Sequence, residues 1–207
     1  MATKTMVHDV FAADLKRMLP RIPLAAKTSD FNAFAEAGRR LADLHVNYET
    51  VEPYPLHEQA PLHGDPWEVN RVLKMRWADK TTKKALICNG HITLGDIPAD
   101  AHRYMLGSRS ALEWLIDRYQ IKTDKPSGIV NDPNDWCREH NDPRYIADLV
   151  KRVTRVSVDT MKIVDALPEL PLGDTNATPA DVKTDKDDKI MIVRPATQPL
   201  VDKARNV

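Results

Sequence analysis

Only two cysteines occur in the 207 residues, Cys88 and Cys137, and neither has a second Cys or a His at zinc-ligand spacing beside it. A disulfide framework and a zinc site are thereby set aside in favour of two ordinary reduced thiols. Nowhere do about eighteen apolar residues run together, and Met1–Arg17 has no apolar signal core, so a soluble cytoplasmic protein is expected. Charge of one sign is missing as well: 30 Lys and Arg balance 30 Asp and Glu. Nucleic-acid binding, if present, must come from how charge is distributed, not from its total. No glycine-rich loop ending in Lys and Ser or Thr is present to cradle phosphates, which removes a translocase. The Asn or Asp, Pro, Pro, aromatic tetrapeptide that would hold a flipped adenine is also missing; Asn131–Asn134 lacks its second proline and its stacking ring.

Helices are signalled by periodicity. Val7, Val10, Phe11, Leu15, Met18 and Leu19 fit a short amphipathic helix stopped by Pro20 and Pro23. A second begins near Ser29 or Asp30 and places Phe31, Phe34, Ala35, Gly38, Leu41, Ala42 and His45 on one stripe, with Gly38 implying close packing. Prolines at 53, 55, 61 and 66 together with Gly64 predict an extended connection. Pro98 opens a short helix. Ser110 and Glu113 form a capping box ahead of Leu112, Leu115, Ile116 and Tyr119. The longest helix starts at Asp142 and Pro143 and carries Ile146, Leu149, Val150, Val153, Met161 and Val164 to a stop before Pro168.

Between Arg71 and Leu94 the period becomes two. Leu73, Met75 and Trp77 alternate with Val72, Lys74 and Arg76; Leu86–Cys88 gives a second strand; and Asn89–Gly90 is a two-residue hairpin turn leading into His91–Leu94. A three-stranded antiparallel meander is expected. The fold class is therefore α+β: amphipathic helices on a small antiparallel sheet, with a domain over residues 1–168 and a flexible tail over 169–207 in which Ile190–Val193 adds at most an edge strand.

Chemistry-bearing residues cluster in two places. Arg71, Lys74, Arg76, Lys80, Lys83 and Lys84 face only Asp79, six cations against one anion or +5 locally in a neutral chain. Such a basic ribbon suits phosphates, although lysines also protect a solvated sheet edge from aggregation. From Lys122 to Trp136 the density of turn formers predicts a rigid polar loop instead of a helix or central strand. It offers Lys122, Lys125, Asn131 and Asn134 for hydrogen bonding to base edges, or, for the asparagines, simply for holding turns. Arg109 and Arg118 bracket the preceding helix as phosphate ligands or surface ion pairs, and Trp114 and Trp136 read as core anchors. Asp124, Asp132, Asp135 and Asp142 raise a magnesium nuclease, but a residue before proline and a helix cap already explain Asp132 and Asp142. No serine triad surrounds Ser127.

Several separated segments, in order, resemble the C-terminal specificity region of the type ISP restriction-modification enzymes. They are Ala13–Pro23 (ADLKRMLPRIP), Phe34–Tyr48 (FAEAGRRLADLHVNY), Lys74–Trp77 (KMRW), Ser108–Trp136 and Asp142–Leu167, together covering roughly Asp9–Pro168. The resemblance implies a non-catalytic target-recognition module that binds duplex DNA, takes no cofactor, and works with a methyltransferase and helicase polypeptide. The alternative is an interaction module that presents Ile146–Val164 to such a methyltransferase without binding DNA itself.

Overall fold

The computed structural model describes residue 25 and residues 27–169. The helix expected over Val7–Leu19, the strand at Ile190–Val193 and the tail lie outside the described residues. Asn32–Glu169 form one compact unit, and the first turn of the first helix lies outside it. Among the described residues, helices α1 (Thr28–Val46), α2 (Pro66–Asn70), α3 (Asp100–Arg103), α4 (Ala111–Arg118), α5 (Asn134–Glu139) and α6 (Tyr145–Asp165) are interleaved with eight short strands, of which β5 (Met105–Leu106) and β6 (Arg109–Ser110) pair only with each other. None of the described helices is long and apolar enough to cross a membrane.

The expected meander is present as β2 (Arg76–Trp77), β3 (Leu86–Ile87) and β4 (Thr93–Gly95), antiparallel throughout. A fourth strand, β1 (His57–Gln59), joins it at the free edge of β4, giving the order β1-β4-β3-β2. Prolines on both sides of His57–Gln59 disguise this strand as plain loop; an edge position tolerates them because the unpaired side needs no donors. Neither Asn89 nor Gly90 takes a positive φ, so the turn is not the two-residue type expected. Instead the Asn89 Oδ1 accepts from the His91 and Ile92 amides at 2.8 and 2.7 Å, and Cys88 N–H donates to the Ile92 carbonyl at 2.9 Å.

The period-two reading of 72–77 also fails in part. Val72 and Met75 are both buried while Leu73 is exposed, because only Arg76 and Trp77 are paired as strand. In α1 the inward residues are Phe34, Ala35, Ala37, Leu41, Leu44 and His45, and Gly38 faces open space, where a Cβ would meet nothing within 4 Å. Close packing at Gly38 is therefore not found. The helix boundary at Ser110 holds, whereas the longest helix begins at Tyr145 with Arg144 at its N-cap, three residues past the expected start at Asp142. The Ser110 hydroxyl accepts from Glu113 N–H, and the Glu113 carboxylate accepts from Ser110 N–H at 2.9 Å. Such a cap is worth about 1 kcal/mol. Asp142 accepts from Arg144 N–H at 2.8 Å just before α6.

Helix α6 packs on α3, α4 and α5 and closes the core with Ile146, Leu149, Val150 and Val158 against Leu86, Ile92, Leu94, Leu112 and Leu115. Its buried hydroxyls cost little, since Thr154 and Ser157 donate to the carbonyls of Val150 and Val153 one turn earlier. Burial of this face within the domain's own core removes the surface that the interaction-module alternative requires. On the sheet side, Arg144 grips Glu58 through both guanidinium nitrogens at 3.0 and 2.8 Å, and Lys151 reaches the same carboxylate at 2.5 Å. These bonds tie β1 to α6 and hold the Glu58 carboxyl down at about 2, against an ordinary 4.5.

Candidate nucleic-acid interface

Segment 71–76 leaves α2 in an extended conformation and is pinned from beneath. Asp65 caps α2 by accepting from Trp67 N–H, and Arg71, at the other end, is already extended. Asn134 then clamps the next residue: its Oδ1 accepts from Val72 N–H at 2.8 Å and its Nδ2 donates to the Val72 carbonyl at 2.7 Å. Asn89 adds donations to the carbonyls of Val69 and Arg71 at 2.9 and 3.1 Å. With Val72 and Met75 held in the core, Arg71, Lys74 and Arg76 are exposed. They line a groove of about 410 Å³ together with Glu68, Leu73, Ile87 and His91.

This ribbon is joined directly to the second candidate segment. Ile121 N–H donates to the Leu73 carbonyl at 3.0 Å, and Lys74 bridges Gln120 in antiparallel fashion. Beyond that bridge the chain forms β7 (Lys122–Thr123) and β8 (Val130–Asn131), an antiparallel hairpin with Lys122 opposite Asn131 and Thr123 opposite Val130. A two-stranded hairpin is marginal alone, but this one is fixed by its tip. Asp124 accepts from Ser127 N–H at 3.1 Å and from the Ser127 hydroxyl at 2.5 Å, and its own amide donates to the Ile129 carbonyl at 2.8 Å. Gly128 takes φ +71, the left-handed conformation such a tip requires. The Ser127 bonds hold the Asp124 carboxyl below its ordinary range. Lys122 and Asn131 open onto a smaller groove of about 270 Å³ with Tyr119 and Trp136.

The structure sorts the sequence-derived candidates. Arg71, Lys74, Arg76, Lys122, Lys125 and Asn131 are exposed on the joined ribbon and hairpin. No carboxylate of the described residues lies within ion-pair distance of Arg71, Lys74, Arg76, Lys80, Lys84 or Lys125. Lys122 is partly engaged, donating to the Asp117 carbonyl at 3.1 Å. Lys80 and Lys84 extend the positive edge along the β2–β3 connection and are exposed. Lys83 turns the other way: it pairs with Glu113 at 2.6 Å, and this ion pair with the Ser110 amide holds the Glu113 carboxyl low. Arg109 lies over the Trp114 ring, 5.2 Å from its centroid, and 3.5 Å from Asp117. Arg118 covers the same ring at 5.5 Å.

Asn134 must be removed from the base-reading set. It is buried, and its carboxamide is committed to Val72 and to Asp132. Its run was expected to be loop, yet Asn134–Glu139 is a helix, because Pro133 fixes φ at the helix entry and Asp132 accepts from Asn134 N–H at 2.9 Å. Trp136 is likewise no core anchor but half exposed, and Trp114 is partly buried with its indole N–H donating to the Leu106 carbonyl at 2.9 Å. Sequence reasoning passed over His91 and Trp136 as groove residues. For Trp136 the clue was present in the polar run Asn131–Asp135, which leaves the ring few apolar neighbours in sequence.

The carboxylates weighed for magnesium make local bonds: Asp124 to Ser127, Asp132 to Asn134, Asp135 to Arg138 and Asp142 to Arg144. Among the described residues no three His, Cys, Asp or Glu side chains are grouped to hold a metal. Both thiols are buried, and loss of solvation raises their pKa values, that of Cys88 to about 12.

Comparison with known proteins gives a consistent relationship. Residues 8–149 match the family model of the type ISP C-terminal specificity domain. Among solved structures, the chain is similar to the ATP-dependent type ISP restriction-modification enzyme LlaBIII bound to DNA, at 36% identity and TM-score 0.68 over 79% of this chain and 10% of that one. It is also similar to a nuclease-deletion mutant of the type ISP enzyme LlaGI in complex with a DNA substrate mimic, at 38% identity and TM-score 0.69 over 80% of this chain and 13% of that one. A third, the DrdV–DNA complex, shares 32% identity at TM-score 0.61 over 77% of this chain and 16% of that one. No curated protein sequence matches. The chain thus spans between 10% and 16% of the length of these relatives. On the family model and on these structural matches together, the chain belongs to the type ISP C-terminal specificity domain family.

Proposed function

We propose that this domain binds duplex DNA and supplies target recognition, without catalysis of its own, to a cytoplasmic assembly in which other polypeptide segments methylate, translocate and cleave. The observation that carries the reading is the joining of the 71–76 ribbon to the β7–β8 hairpin, which sets cations that pair with no carboxylate of the described residues beside a rigid polar projection. All three structural relatives were solved with DNA or a DNA mimic, which supports the same reading. In this arrangement Arg71, Lys74, Arg76 and Lys125 engage phosphates, with Lys80 and Lys84 extending the contact. Phosphate contacts set position and register, while Asn131 and Lys122 are placed to meet base edges. Lys83 and Arg109 brace α4 and contribute less.

A fluorescence anisotropy titration of the 207-residue chain against labelled duplex, repeated across salt concentrations, tests this. Four neutralised phosphates give a slope of about −3.6 in log K against log salt. Absence of binding, or binding indifferent to salt, would refute the proposal.

A further inference from the structure

The hairpin carries two side chains that phosphate binding does not explain. Ile129 is 64% exposed and Val130 57% exposed, although both stand on a backbone locked by the Asp124–Ser127 tip bonds. All residues of β7 and β8 are exposed. By the strand register, Val130 shares a face with Thr123, opposite the face of Lys122 and Asn131. The hairpin is thus a narrow two-stranded projection with apolar bulk near its end, Lys125 in its tip and Lys122 at its base. Large apolar side chains held rigidly in water have an unused preference for a dry contact.

We infer that the β7–β8 hairpin enters the major groove edge-on with β8 leading, so that both of its faces meet base edges, and that Ile129 and Val130 read thymine through its 5-methyl group. This rests on the DNA-binding reading above and extends it to a class of base. The major groove admits a two-stranded β-ribbon, and the thymine methyl is the apolar feature that a base-pair edge presents there. Charge decides between DNA and an apolar protein partner. Lys125 stands on the same hairpin, and Arg71, Lys74 and Arg76 stand on the ribbon bonded to it through Leu73 and Ile121. An apolar protein surface would leave those cations desolvated and unpaired, whereas phosphates on both sides of a groove neutralise them.

The test uses the full chain and duplexes it selects from a random pool. Each selected duplex is then remade with uracil for thymine, which removes only the methyl. Wild-type protein should lose about fourfold in affinity for each buried methyl, the equivalent of one buried carbon in transfer terms. A double variant, Ile129→Ser with Val130→Ser, removes every side-chain methyl at these two exposed positions, and the fold should persist, as unchanged circular dichroism and urea midpoint would show. In that variant the thymine and uracil duplexes should bind alike, with the salt slope unchanged. Selected duplexes without a fixed thymine, a wild type indifferent to the methyl, or a variant that keeps the full uracil penalty would each overturn the inference while leaving DNA binding intact. Failure of the chain to bind any duplex would instead overturn the functional reading on which it rests.

Discussion

Replacing Asn134 with Ala removes the one side chain that satisfies both backbone polar groups of Val72. Val72 is 1% exposed, so water does not readily replace the lost partners. Its N–H loses an acceptor at 2.8 Å and its carbonyl loses a donor at 2.7 Å. Each buried group left unpaired costs about 1–3 kcal/mol, and allowing some relaxation the pair should cost about 2–4 kcal/mol. Against a domain stability on the order of 5–15 kcal/mol this is a large loss. Urea unfolding followed by tryptophan fluorescence should show a lower midpoint at unchanged m-value. Asn134→Asp should be worse, since it keeps an acceptor for Val72 N–H but sets a second carboxylate against Asp132, with which Nδ2 is bonded at 2.6 Å. Base preference of the folded fraction should not change. A loss below about 0.5 kcal/mol, the range of an ordinary surface substitution, combined with altered base preference, would refute the clamp and return Asn134 to the reading surface.

Glu58 should impose an acid limit on stability. Its folded pKa of about 2 lies below the ordinary 4.5, so the ion pairs with Arg144 and Lys151 contribute fully above about pH 4.5 and are lost as pH falls from there through 2. Urea midpoints measured between neutral pH and pH 3 should fall less steeply for Glu58→Gln than for wild type, and parallel curves would contradict this. Cys88 and Cys137 are buried with raised thiol pKa values. Neither should react with iodoacetamide at pH 8 until the chain is unfolded in urea, and rapid labelling of the native protein would show that the core opens.

Much of the scaffold was legible in the sequence because its signals are local. Ser110 with Glu113 marks a helix start through bonds made within a few residues, and Asp142 with Pro143 marks the turn that leads into the longest helix, which begins at Tyr145. The meander from Arg76 to Gly95 follows from a change of period between helices. What local reasoning missed depends on contacts distant in sequence. Strand β1 pairs with β4 some 36 positions later, and its neighbouring prolines suggest only a loop. Asn134 resembles a turn residue until it meets Val72, a partner 62 positions away. On α1 the expected stripe is found in part: Phe34, Ala35, Leu41 and His45 turn inward, while Phe31, Gly38 and Ala42 are exposed and Ala37 and Leu44 take the inward places that periodicity alone assigns equally well to either side of the stripe. The basic ribbon was visible as charge density, but its division was not. Only the tertiary arrangement turns Lys83 towards Glu113 while leaving Lys74 and Arg76 open beside the hairpin.

The most direct test of the account compares wild type with the triple variant Arg71→Gln, Lys74→Gln, Arg76→Gln in the salt-dependent anisotropy titration. All three positions are exposed and none is paired with a described carboxylate, so the urea midpoint should be retained. If the ribbon lies on phosphates, affinity falls for every duplex sequence alike and the slope of log K against log salt becomes shallower by about 2.7. An unchanged slope with unchanged affinity would place the DNA elsewhere and contradict the account.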